Sequence, residues 1–336
     1  MLATWHFHIE ISSKCTLRCP RCARQEVPDT LVNTELNIEF FKRNFTVDFV
    51  TQHVEKITFC GDDGDPIYAH DLIDVIQYIK GIKPVEIVIV TNGSHKKPAW
   101  WQDLGRELDQ NDTVHFSIDG WDNHSNNLYR VNSDFDSIVS GISALRSTSQ
   151  CRLVWAAIGF KFNEDYLEQM AAHAKTLEMD AFQLTKSTKF GSIYSSYGIN
   201  DALEPSNKFI SRSHRFERDV TLLNNRGLNS VINRNNIMLY KSVVESNGVK
   251  PLCEIGNKGL YIDAQGRLFP CCWVANRYGH NTEWQQLATQ FNLHDRTLAD
   301  AVLDNFWQSK FKTFKWQECQ TKCSADRVTE KYATEW

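Results

Sequence analysis

No stretch of the 336 residues approaches a run of about 18 apolar residues, so no transmembrane helix is expected. The start, Met1-Leu2-Ala3-Thr4-Trp5-His6, lacks a basic region followed by an apolar one, and no secretory signal peptide is expected either. Neither sign of charge dominates: 37 Lys and Arg stand against 41 Asp and Glu, a net charge of −4. That balance gives no global argument for a nucleic-acid or membrane partner. What remains is a cytoplasmic chain, 42% hydrophobic and 23% charged, long enough for a sizeable core in one or two domains.

Cysteine is where the composition becomes specific. Of the 10 cysteines, eight fall in two groups: Cys15, Cys19 and Cys22, then Cys253, Cys271, Cys272, Cys319 and Cys323. Without an export signal, clustered cysteines point to metal binding rather than to a disulfide framework. Cys60 and Cys151 stand alone and read as small buried hydrophobes. The first group, C-x3-C-x2-C, lies on one tight loop and lacks a fourth cysteine. Three thiolates there can hold three irons of a 4Fe–4S cube, leaving one iron open to a small molecule. Zinc usually takes four closed ligands at other spacings.

The first half of the chain alternates strand and helix. Residues 6–12 read as a strand, with His6, His8 and Glu10 alternating with Phe7, Ile9 and Ile11. A helix is predicted over 36–54, with Asn37 as N-cap, and a short buried strand over 57–60. Helices over 71–80, 100–108, 135–145 and 164–177 then alternate with strands over 85–90, 113–118, 153–160 and 181–184. Such alternation, with nearly continuous apolar strands, argues for a parallel sheet covered by helices. Polar and glycine clusters follow the strands: the cysteine loop, Gly61–Pro66, Thr91–Ser94 and Asp119-Gly120. In barrel-like α/β folds this is the edge where active sites form.

Cys15-Thr16-Leu17-Arg18-Cys19-Pro20-Arg21-Cys22 resembles the cluster loop of the radical S-adenosylmethionine (SAM) enzymes, and residues 6–185 resemble their partial (β/α)6 TIM-like barrel. Arg21 stands where an aromatic often precedes the third cysteine. The resemblance implies that Cys15, Cys19 and Cys22 hold the cluster. It places Gly61-Asp62-Asp63-Gly64-Asp65-Pro66 at the loop that contacts the SAM amino group, with an aspartate for the family's glutamate. Asn92, Ser94, Ser117 and Asp119 fall at strand ends that line the SAM ribose and the substrate, and Arg130 falls where an arginine pairs with the SAM carboxylate. Taken singly, each of these has a structural reading: a turn, a helix cap or a surface arginine.

Residues 186–250 are polar and read as a linker with helical pieces. Their basic residues, Lys208, Arg212, Arg215, Arg218, Arg226, Arg234 and Lys241, leave open a surface for an acidic substrate. Beyond them, two short strands around Ala264-Gln265-Gly266 form a predicted hairpin, and a helix is predicted over 298–310. The C-x12-G-x4-C spacing of Cys253, Gly266 and Cys271 resembles the opening of the SPASM and Twitch auxiliary-cluster domains. That resemblance makes 251–336 a Twitch-like domain whose second 4Fe–4S cluster is held by Cys253, Cys271, Cys319 and Cys323, with Cys272 competing for the place of Cys271. A zinc ribbon is the alternative on these cysteines alone.

The expected protein is therefore an enzyme that cleaves SAM to a 5′-deoxyadenosyl radical. It would oxidise or modify a peptide or small molecule and draw electrons from a flavodoxin- or ferredoxin-type donor. A barrel that starts at residue 6 leaves no leader-binding domain ahead of it, so peptide modification would call for a separate leader-binding protein. A nucleotide substrate, or a non-catalytic iron–sulfur or zinc-binding protein, are the competing readings. The catalytic residues are not legible.

Overall fold

The structure, a computed structural model, describes residues 5–26, 31–186, 203–204, 213–215, 260–275 and 288–307. In chain order the strands are β1 (Trp5–Ile9), β2 (Val54–Phe59), β3 (Glu86–Thr91), β4 (Thr113–Ser117), β5 (Arg152–Gly159), β6 (Ala181–Lys186), β7 (Ser213–Arg215), β8 (Tyr261–Ile262) and β9 (Leu268–Phe269). The helices used below are α1 (Ala23–Glu26), α2 (Ile38–Asn44), α3 (Val47–His53), α4 (Leu72–Ile82), α5 (Pro98–Glu107), α6 (Asn123–Asn127), α7 (Phe135–Thr148) and α8 (Leu167–Thr176). The chain divides into two compact units: Met1–Lys14, Thr30–Ile87 and Asp219–Trp336 form one, and Cys15–Asp29 with Val88–Arg218 form the other.

In the first unit β1 pairs parallel with β2, Phe7 opposite Ile57. On its other edge β1 pairs parallel with β8, His8 opposite Tyr261, and β8 turns back antiparallel into β9. The predicted hairpin is thus present, and it joins the sheet at its first strand. Gly266 at its turn has φ +75°, a left-handed conformation that costs glycine no steric penalty. The helix expected over 36–54 is two helices. Asn37 caps α2 through Phe40 N–H, as predicted, but the Thr46 hydroxyl accepts from Phe49 N–H and starts α3 afresh. The break lets Phe41, Phe45 and Phe49 all turn inward. Phe45 sits edge-on to Phe7 at 5.2 Å, and Phe41 stacks on Phe45 at 5.5 Å. Burying each such ring stabilises the fold by about 1.5–3 kcal/mol.

In the second unit β4, β5 and β6 continue the parallel order begun by β3, and β7 adds an antiparallel edge to β6. Helices cover the sheet face that carries Phe116 and Trp155: α7 buries Phe135, Ile138, Ile142 and Leu145 at helical spacing, and α5 buries Trp101 and Leu104. Trp101 meets Phe116 of β4 at 5.2 Å. Among the described residues no helix is long and apolar enough to cross a membrane. The C-terminal helix is seen over Leu298–Leu303; positions 308–310 of the prediction lie outside the described residues.

Candidate functional site

The cysteine loop is built by contacts within the second unit. Leu17 is buried and anchors an apolar cluster with Cys19, Tyr129, Phe160 and Leu203, against which Cys15 and Cys22 pack. The backbone is pinned from the segment after α6: Arg18 N–H donates to Val131 O at 2.9 Å, and Asn132 Nδ2 donates to Thr16 O at 2.8 Å. Cys22 N–H closes a turn onto Cys19 O, and α1 follows directly. None of the three is in a disulfide among the described residues, and Cys15 and Cys19 have polar neighbours. Leu17 N–H and Asn92 Nδ2 lie 3.4 and 3.7 Å from Cys15 Sγ, and the Arg130 guanidinium is close enough to Cys19 to favour its thiolate. Burial pushes the Cys19 thiol up to about 11, while Arg130 pulls the other way.

Arg130 is held by Asp119. Its Nε donates to Asp119 Oδ2 at 2.6 Å, the carboxylate being fully buried and the arginine 16% exposed. Ile158 N–H donates to the other carboxylate oxygen at 2.6 Å, and Asn163 Nδ2 donates to the Asp119 carbonyl at 2.8 Å. Burial raises the Asp119 pKa against the pull of Arg130; Arg130, for which burial disfavours charge, is nonetheless held above its ordinary value by Asp119 and Cys19. Asp119 is therefore no helix cap; Asp122 does that for α6. Asn92 and Ser94 form a tight turn, Ser94 N–H donating to Asn92 Oδ1 at 2.9 Å. Ser117 ends β4 opposite Ala156, and its hydroxyl makes no hydrogen bond among the described residues. Cys15, Cys19, Cys22, Asn92, Asp119 and Arg130 are thus linked by contacts, and Ser94 by its bond to Asn92.

The Gly61–Pro66 loop belongs to the first unit and is built differently. Gly64 lies so close to the chain leading to the cysteines that a Cβ there would fall 1.9 Å from Ser12 O. Asp65 N–H donates to Lys14 O at 2.9 Å. The Asp65 side chain, the shorter acid of the expected SAM contact, accepts from Ile67 N–H and caps the turn Pro66–Tyr68. Beneath the loop sits a residue the sequence did not single out. Glu10 Oε1 accepts from Asp63 N–H at 2.6 Å and Gly64 N–H at 3.0 Å, and Tyr261 donates its hydroxyl to Oε2 at 3.3 Å. Burial, with Asp63 and Asp62 nearby, pushes Glu10 up to about 8. Cys60 beside it is raised far above its ordinary value, by burial first and then by Asp62, Asp65 and Glu10.

At the C-terminal hairpin, Cys272 packs against Tyr261, Phe269, Ala275 and Ala288, whereas Cys271 is no part of that cluster. Both are half-buried, and neither is in a disulfide among the described residues. Cys253, Cys319 and Cys323 lie outside the described residues, as do most of the basic positions between 206 and 241. Among the described residues no three His, Cys, Asp or Glu side chains converge on one metal ion. A cubane asks for less convergence, because each thiolate binds its own iron. Three thiols outside any disulfide, on one pinned loop in an apolar setting with polar donors at Cys15 and Cys19, fit that group.

No curated protein sequence matches the chain. Among solved structures it is similar to Streptococcus suis SuiB bound to S-adenosylmethionine, with 13% identity and a TM-score of 0.61 over 98% of this chain and 72% of SuiB. It is also similar to native anSMEcpe with bound AdoMet, with 13% identity and a TM-score of 0.54 over 97% of this chain and 88% of that one. At such identities the likeness establishes the fold. The family model described as "Radical SAM superfamily" matches residues 9–174, which include the cysteine loop and all of β2 to β5. On an α/β fold with a parallel sheet, residues 9–174 thus match the model of the radical SAM superfamily, a domain type that implies SAM and a 4Fe–4S cluster.

Proposed function

We propose that the chain is a radical SAM enzyme acting on a peptide, in which Cys15, Cys19 and Cys22 hold the cluster. The observation that carries this is the cysteine loop itself: three cysteines outside any disulfide on one pinned segment, with Arg130 at Cys19 and Asn92 at Cys15. When bound, the cluster and SAM supply a 5′-deoxyadenosyl radical able to take hydrogen from an unactivated C–H bond. The protein's part is positioning and exclusion of water. Leu17, Tyr129 and Phe160 make the setting apolar; Arg130 lowers the electrostatic cost of a thiolate at Cys19; the Leu17 and Asn92 N–H groups do the same at Cys15. Gly61–Pro66 would receive the SAM amino group, with Asp62 and Asp63 as the acids not committed to the turn that Asp65 caps. Asn92, Ser94 and Ser117 would face the ribose and substrate. Arg130 keeps its proposed pairing with the SAM carboxylate through a guanidinium already oriented by Asp119.

A peptide is favoured because SuiB, similar over 98% of this chain, is also seen bound to its precursor peptide SuiA. At the C-terminus Cys253, Cys271, Cys319 and Cys323 would hold a Twitch-type auxiliary cluster, which would supply an electron acceptor suited to a two-electron oxidation. Packing of Cys272 into the hairpin cluster supports Cys271 as the ligand. An external flavodoxin- or ferredoxin-type protein would supply the electron. Anaerobic reconstitution with iron and sulfide, then SAM and dithionite, should yield 5′-deoxyadenosine. A protein that binds iron or zinc but yields none is the non-catalytic alternative.

A further inference from the structure

Among the described residues of the first unit, Glu10 is the most buried acid. It is 3% exposed, it is the residue after β1, and its nearest charged neighbours are acids: Asp63, Asp62 and Asp263. No ion pair to it occurs among the described residues. A carboxylate buried in this way without a cation costs on the order of several kcal/mol, which is why burial raises the Glu10 pKa. Its surroundings use it. Oε1 takes two consecutive backbone amides, Asp63 and Gly64, in the middle of the Gly61–Pro66 loop. Gly61 approaches so closely that a Cβ there would lie 2.5 Å from Oε1. Oε2 takes the hydroxyl of Tyr261, a fully buried ring on β8. The same Tyr261 ring belongs to the apolar cluster that holds Cys272, and it packs edge-on to His8 of β1 at 5.0 Å.

We propose that Glu10 is the positioning residue of the Gly61–Pro66 loop, and that through Tyr261 it ties that loop to the C-terminal hairpin. Its work is to give two loop amides an acceptor where the glycines leave no side chain to do so. The loop then has one conformation, and that conformation depends on the hairpin being in place. This rests on the loop's proposed role toward SAM for its effect on the reaction, but not for its effect on the loop.

The test separates the two. Amide hydrogen exchange over 61–66 reports the loop directly, and equilibrium dialysis with labelled SAM on the reconstituted protein reports the ligand. In Glu10→Ala the orphaned amides should exchange at least about tenfold faster and SAM affinity should fall about tenfold, the size expected for one buried hydrogen-bond acceptor lost. Glu10→Gln keeps a carbonyl acceptor and should restore protection to within about threefold of wild type. Tyr261→Phe removes one hydroxyl and no packing, and should speed exchange over 61–66 by about threefold, with exchange over β4 unchanged. The KM for SAM should rise in Glu10→Ala with little change in kcat. Unchanged loop exchange in Tyr261→Phe overturns the link to the hairpin. Glu10→Gln as unprotected as Glu10→Ala overturns the acceptor role, and since Gln is nearly isosteric this arm stands even where the alanine variant does not fold. Exchange behaving as stated while SAM binding is flat across all variants leaves the loop's positioning intact and removes the SAM role of the loop.

Discussion

The two loops that carry the candidate chemistry bury acid in opposite ways. In the second unit Asp119 is fully buried beside a guanidinium, and the pair is completed by a backbone amide at the remaining oxygen. In the first unit Glu10 is buried among other acids and meets only amides and a phenol. The first arrangement sets a guanidinium beside Cys19; the second uses a carboxyl, pushed above its ordinary value by burial, as the acceptor for two amides and a phenol. One is suited to holding an anion, the other to fixing backbone. The same residue class thus serves electrostatics in one unit and geometry in the other.

The largest break in this contrast is at the thiols. Cys19→Ala should abolish 5′-deoxyadenosine formation and most of the iron bound at the first loop; persistent cleavage would sink the ligand assignment. At the other end of the chain, Cys319→Ala should lower iron and sulfide by about half if four more thiolates close a second cluster. Unchanged iron together with one zinc per protein would instead identify a zinc ribbon.

Next comes the charge pair. Asp119→Ala strands the Arg130 guanidinium and orphans the Ile158 amide, and urea unfolding should show a loss of about 3–5 kcal/mol. The neutral acid gives a smaller effect with a definite sign. Folding raises Glu10 from 4.5 to about 8, so the native state holds a proton that the unfolded chain releases. That stability is fully present below about pH 4.5 and is lost as pH rises toward and through 8. Acids facing Glu10 (Asp62, Asp63, Asp263) and the Tyr261 hydroxyl belong to the same balance. Melting temperatures from pH 5 to about 8.5 should fall more steeply in wild type than in Glu10→Gln; parallel slopes would show that Glu10 is ionised throughout. Smallest of all, Asp103→Ala removes the ion pair with Arg106, both partners more than half exposed, and should change stability by less than about 0.5 kcal/mol.

The strand and helix order was legible because apolar periodicity and loop glycines report it locally, and the cysteine spacing was legible because ligand geometry demands it. What stayed hidden was long-range. Alternation put Glu10 with His6 and His8 on a polar face, yet Glu10 is buried because the chain after β1 is covered by the Gly61–Pro66 loop on one side and by β8 on the other. The single helix expected over 36–54 failed at Thr46, an N-cap residue type inside an otherwise periodic run. Val131 and Asn132, which pin the cysteine loop, carry no sequence signal, since a backbone carbonyl and one amide side chain do the work. Arg130 could be read as a ligand for a carboxylate, but which carboxylate it meets first, Asp119, required coordinates.

The pairing of β1 with β8 has a consequence for synthesis. The two partners Glu10 and Tyr261 are 251 positions apart, and a ribosome adding about 5–20 residues per second needs roughly 10–50 seconds to cover that distance. Once β2 has been made, β1 has it on one side and an unpaired edge on the other, a template for any other extended chain. The nascent first unit therefore depends on its last-made segment, and premature termination before residue 261 would leave an open strand edge and a buried acid without its phenol.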